Sequence, residues 1–110
     1  MIDDVEKSAV LMQGMRAALP MPAFTTLNLR RTLQQHSERS FPHECNVTEV
    51  RYMGDDGGIA CHLDFGFTDT EDAHIVSITH LRFDRKHPLT KKIEVYCKHR
   101  VKRLRKLTLT

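Results

Sequence analysis

Residues 59–67 read IACHLDFGF. Ile59, Cys61, Leu63, Phe65 and Phe67 alternate with Ala60, His62, Asp64 and Gly66. A period of two marks a strand with one dry face and one wet one. The preceding run, Asn46 to Met53, joins it through Gly54-Asp55-Asp56-Gly57-Gly58. Asp56-Gly57 suits a type I′ hairpin turn, whose two central residues need positive φ. A third strand is expected over His74–Phe83, after a polar turn at 68–72 centred on Thr70 and Glu71. Connections this short favour an antiparallel meander of three strands.

Outside this centre the period changes to that of helices. Asp3 and Asp4 suit the first turn of a helix reaching Leu19, because the positive dipole end there stabilises carboxylates. Ile2, Val5, Ala9, Met12 and Leu19 form its expected apolar stripe. Pro20-Met21-Pro22 stops it. A second helix is expected from Thr25 or Thr26, either of which can cap it, to Glu38. The last helix is expected to start at Pro88, whose fixed φ suits a first helical position. Ile93, Cys97, Val101 and Leu104 are its apolar stripe. The fold class read from this order is α+β: a helical hairpin, a three-stranded antiparallel meander and a C-terminal basic amphipathic helix. All 110 residues fit a single domain.

The charge is divided along the chain. Residues 1–80 hold 6 Lys/Arg against 12 Asp/Glu, a net of −6. Residues 81–110 hold 11 against 2, a net of +9. Most of the excess lies in 89–107, LTKKIEVYCKHRVKRLRKL. Lys91, Lys92, Lys98, Arg100, Lys102, Arg103, Arg105 and Lys106 stand there against Glu94 alone. So concentrated a field attracts anions at long range. Phosphates of a nucleic acid, an acidic protein surface, or the acidic 1–80 region, within the chain itself or across a homodimer, are the partners it suits. A solvated helix face is the competing reading, since cations near a helix C-terminus are favourable in any case. Lys91 and Lys92 tell against it, because they fall in the first turn, where the dipole opposes them.

Three cysteines and seven histidines invite a metal reading. With the second hairpin turning at Thr70-Glu71, His80 falls opposite Cys61, and Cys97 lies on the helix stripe above. Cys61, His80 and Cys97 are thus the candidate ligands, one short of the four that structural zinc takes. The ordinary alternative is a set of reduced, buried thiols. The wet face of the meander offers a second candidate site. His62 beside Glu49 and Asp64, with Arg51, Ser77 and Thr79 nearby, has the groups that acid–base chemistry uses. Opposite charges across strands also simply stabilise a sheet face.

Other fragments exclude more than they suggest. Asp64-Phe65-Gly66 spells a kinase triplet, but no Gly-rich or catalytic loop accompanies it. Phe65-Gly66-Phe67 has the aromatic spacing of an RNA-recognition strand; the element order and the lack of a basic residue before the glycine depart from that pattern, and core packing is expected of both rings. Residues 54–58 lack the lysine of a phosphate loop. No run approaches the roughly 20 apolar residues of a membrane helix, so no membrane partner is expected. The acidic start is unlike a secretory signal, and a cytoplasmic location is the expectation. Nothing in the sequence calls for a cofactor. The function expected is a small non-catalytic binding module for nucleic acid or another polyanion. The alternatives are a small enzyme or ligand-binding protein built around His62, and a homo-oligomer pairing acidic with basic surfaces.

Overall fold

The computed structural model describes residues 3–35, 39–67 and 74–108. The elements run α1 (Val5–Ala18), β1 (Met21–Thr25), α2 (Leu27–Gln35), β2 (Glu44–Tyr52), β3 (Ile59–Asp64), β4 (His74–Ser77), β5 (Leu81–Arg82) and α3 (Thr90–Thr108). The class is α+β, as the sequence implies, but the sheet has five strands in the order β4-β3-β2-β1-β5, every pair antiparallel. The three-stranded meander is therefore corrected in two places.

The first concerns the helical hairpin. Met21–Thr25, expected to be only a proline stop, is a strand between the two helices, pairing with β2 and β5. Its burial alternates, with Met21, Ala23 and Thr25 inward and Pro22 and Phe24 outward. A proline inside a paired strand needs explaining, because it donates nothing to a ladder. The Thr25 amide donates to the His43 carbonyl, toward β2, so Pro22 faces the other side. There β5 ends with Arg82 opposite Phe24, and no strand awaits a donor from Pro22.

The second concerns the last strand. The run expected over His74–Phe83 is broken by a 3-10 turn, Ile78–His80, into β4 and β5. The Ser77 hydroxyl accepts from the Thr79 amide and fixes the break. Burial of Ile78, Leu81 and Phe83 explains why apolar residues fall on both parities. β4 lies at one edge of the sheet and β5 at the other. The expected turn at Thr70-Glu71 lies outside the described residues.

The β2–β3 connection is a 3-10 turn over Gly54–Asp56 rather than a type I′ turn at Asp56-Gly57. The positive φ values fall on Gly54 and Gly58, while Gly57 has φ −139°. Within β2 the register slips between Val47 and Glu49, so Thr48 is an extra residue. That bulge keeps both Val47 and Val50 inward although they are three apart, and leaves Glu49 opposite His62.

All three helices contribute to one core on one face of the sheet. It comprises Leu11, Met12, Met15, Leu29 and Ile93 with Met21, Val47, Val50, Ile59, Cys61, Ile78 and Leu81. Each large side chain removed from water there contributes about 1.5–3 kcal/mol before entropy is counted. α1 is capped by Asp4, which accepts from the Lys7 amide at 3.0 Å. It buries Ser8, Leu11, Met12 and Met15, not the Val5–Ala9 side of the expected stripe. Its apolar residues occur all round, so periodicity alone cannot choose a face. Thr26 caps α2, its hydroxyl accepting from the Leu29 amide. Gln35 ends α2, and Glu38 lies outside the described residues. α3 begins two residues after Pro88. Its entry is a turn in which Asp84 accepts from the Lys86 amide through its side chain and from the Thr90 hydroxyl through its carbonyl.

Candidate anion-binding surface

At 100° per residue, Ile93, Cys97, Arg100, Leu104 and Leu107 fall within about 40° of one line on α3. Ile93 is buried in the core on that line. Away from it, at about 80° to 180° around the axis, Lys91, Lys92, Lys98, Lys102, Arg103, Arg105 and Lys106 are all exposed. Lys91 and Lys92 stand in the first turn, which carries no acidic residue. Among the described residues, Lys91, Lys92, Lys98, Lys102, Arg103 and Lys106 form no ion pair. From Val101 to Leu107 every residue is exposed, so the last turns extend past the core. The turn leading into α3 adds Arg85 and Lys86, both exposed, which sequence reasoning left out of the basic surface. Their signal was available, since they precede the helix directly.

Arg100 does not belong to this surface. Its side chain is 3% exposed and that of its partner Asp3 1%. One terminal nitrogen of Arg100 donates to both Asp3 oxygens, at 3.1 and 3.2 Å, and the other donates to the Asp55 carbonyl at 2.7 Å. The hydroxyls of Tyr96 and Tyr52 also donate to Asp3, at 2.8 and 3.0 Å. The Tyr96 oxygen in turn accepts from the Ile59 amide at 3.0 Å. Burial pushes the Tyr96 phenol well above its ordinary range, and its bond to the Asp3 carboxylate adds to the shift. Gly58 leaves room for this cluster. A Cβ there would stand 2.5 Å from the Tyr96 hydroxyl and 2.7 Å from Arg100 Nε. The network ties the start of the chain, the end of β2, the β2–β3 turn and α3 together. Arg100 thus orients the basic helix rather than offering charge to a partner. Its place seven residues after Ile93, on the apolar stripe, was the signal in the sequence.

The wet sheet face gathers its expected members only in part. Glu49 lies opposite His62, with Oε2 3.9 Å from Nδ1, and Arg51 Nε donates to the other Glu49 oxygen at 2.9 Å. That bond to Arg51 holds the Glu49 carboxyl below its usual range. Asp64 turns instead to the Gly66 amide, at 2.8 Å. An open cleft of about 490 Å³ adjoins Asp64, lined by Pro22, Phe24, Glu44, Asn46 and Phe65. It includes neither His62 nor Glu49, so the His62 group does not border it. Ser77 and Thr79 bond to each other.

The metal set does not assemble. Val76, not His80, stands opposite Cys61, because the β3–β4 register lies four residues from the expected one. His80 is an exposed residue of the 3-10 turn. Among the described residues no three His, Cys, Asp or Glu side chains are placed to hold an ion. Cys61 and Cys97 do share the core, and both are free thiols. Burial pushes Cys61 up to about 12 and Cys97 to about 11. Phe65 and Phe67 pack on one another and on Phe41, with ring centroids 5.1–5.8 Å apart. Arg39 lies 4.7 Å above the Phe67 ring. Among the described residues no helix is long and apolar enough to cross a membrane. No protein-family model, curated protein or solved structure matches this chain.

Proposed function

We propose that this protein is a non-catalytic binding module for nucleic acid or another polyanion, engaging it through the outward face of α3. The observation that carries the reading is the exposure of Lys91, Lys92, Lys98, Lys102, Arg103 and Lys106 on one face, without carboxylate partners among the described residues. Among the described residues, no carboxylate of the acidic half pairs with these six side chains, and Asp3 engages Arg100 beneath them. Two lysines in a first turn that the helix dipole disfavours fit the demands of a partner better than those of stability.

Phosphates neutralised by these side chains would release condensed counterions, so affinity must fall with salt. With about five contacts, binding to duplex DNA weakens roughly 500-fold between 50 and 200 mM salt. The test is fluorescence anisotropy against labelled DNA, RNA and heparin across that range. Replacing Lys102, Arg103 and Lys106 by Gln should lower the salt slope by about one for each phosphate no longer neutralised. Absence of binding at low salt, or indifference to the triple substitution, refutes the reading. Sedimentation velocity in the same buffers separates it from association between copies.

A further inference from the structure

We infer that the polyanion is B-form duplex DNA, with α3 lying in the major groove; this rests on the polyanion-binding reading above. The cations of α3 fall in two rows. Lys91, Lys98 and Lys102 share one flank at i, i+7 and i+11, and Arg105 continues that row. Lys92, Arg103 and Lys106 share the other at i, i+11 and i+14. The row centres lie about 100° apart around the helix axis, and the members nearest the crest, Lys102 and Lys106, about 40° apart. Between them, on the crest directed away from the core, stands Val95, 65% exposed.

A two-sided arrangement fits a ligand with anions on two sides. The major groove of B-DNA is about 12 Å wide and 8.5 Å deep, with a phosphate strand along each rim. An α-helix with its side chains is about 10–12 Å across, so it fills that groove and brings one row to each rim. Lys91 to Lys106 spans roughly 22 Å, a length of duplex that carries about 13 phosphates. The core meets α3 only on the Ile93–Arg100 side, which leaves the half bearing the rows open. Val95 then faces base edges, where a small apolar side chain meets only thymine methyl groups or water.

The same features disfavour the other polyanions. An A-form RNA duplex has a major groove too narrow for a helix, and across its shallow minor groove one row at most finds phosphates. Single strands are held by exposed aromatic platforms. The one aromatic residue of α3, Tyr96, is half-buried and engaged with Asp3 and Ile59. A flat acidic surface would use one row and leave the other in solvent.

The experiment measures binding of the full chain, at 0.1 M salt, to four probes: a DNA duplex, an RNA duplex of the same sequence, one DNA strand and heparin. Each phosphate left without its cation costs roughly eightfold in affinity at that salt concentration. Disengaging one row of three therefore weakens the RNA duplex relative to DNA by on the order of 500-fold. Dimethyl sulfate footprinting should show guanine N7, in the major groove, protected and adenine N3, in the minor groove, open. A DNA preference under about tenfold over the RNA duplex, or protection of N3 with N7 open, overturns the groove assignment and leaves the polyanion reading standing. Absence of salt-sensitive binding to any of the four ends both.

Discussion

Replacing Arg100 by Met should destabilise this protein far more than any other single charge removal on α3. The side chain is 3% exposed, and among the described residues it supplies the only cation bonded to an Asp3 carboxylate that is itself 1% exposed. Its loss leaves that carboxylate, among the described residues, with the two tyrosine hydroxyls, and takes one donor from the Asp55 carbonyl. Removing one partner of a buried pair costs about 3–5 kcal/mol, chiefly because the other charge stays behind unpaired. Against a total stability of about 5–15 kcal/mol this is a large share. For a chain of this size it lowers Tm by roughly 12–20 °C. Asp3→Asn should cost a similar amount, since it strands the guanidinium. The double variant Asp3→Asn with Arg100→Met removes both charges and should be more stable than the two single losses together imply, with a coupling of about 2 kcal/mol or more. Urea unfolding followed by far-UV circular dichroism measures all four proteins. Single variants within about 1 kcal/mol of the parent, or strict additivity in the cycle, would refute the claim that this pair clamps α3.

Gly58→Ala should destabilise by more than about 2 kcal/mol, because it adds left-handed strain to a clash with Tyr96 and Arg100, whereas Gly66→Ala, also at positive φ but in open space, should cost about 1 kcal/mol; thermal melts of the two variants check the difference. The thiols of Cys45, Cys61 and Cys97, raised by burial to about 11, 12 and 11, should resist Ellman's reagent at pH 8 in the native protein and react at once in urea. Since their folded values lie above the ordinary 9.0, the unfolded chain releases these protons first as pH rises. Their contribution to stability is therefore full below about pH 9 and declines between pH 9 and 11, a trend that urea midpoints taken across that range should follow.

The central strand was the most legible element. Ile59, Cys61 and Leu63 alternate with His62 and Asp64, a period of two that marks one dry face. β1 was illegible for a local reason: two prolines in three residues read as a break. What makes Pro22 acceptable is the end of β5 two residues away, a fact of pairing rather than composition. The β4–β5 break is hidden in the sequence because a 3-10 turn that buries Ile78 needs no Gly or Pro, and the apolar residues continue on both sides of it. The metal triad failed on register. A shift of four residues puts Val76 in the place expected for His80, and register depends on a loop whose length the alternation does not report.

For the basic surface, composition alone determined that a cationic helix exists, because charge and helical period are both properties of neighbours in the chain. Which cations face outward was decided by tertiary structure. Arg100 lies on the same helix as Lys98 and Lys102, yet a carboxylate 97 positions away holds it in the core. A buried ion is tolerated only where its partner and hydrogen bonds converge, and here they come from Asp3 and Asp55, brought to α3 by the fold.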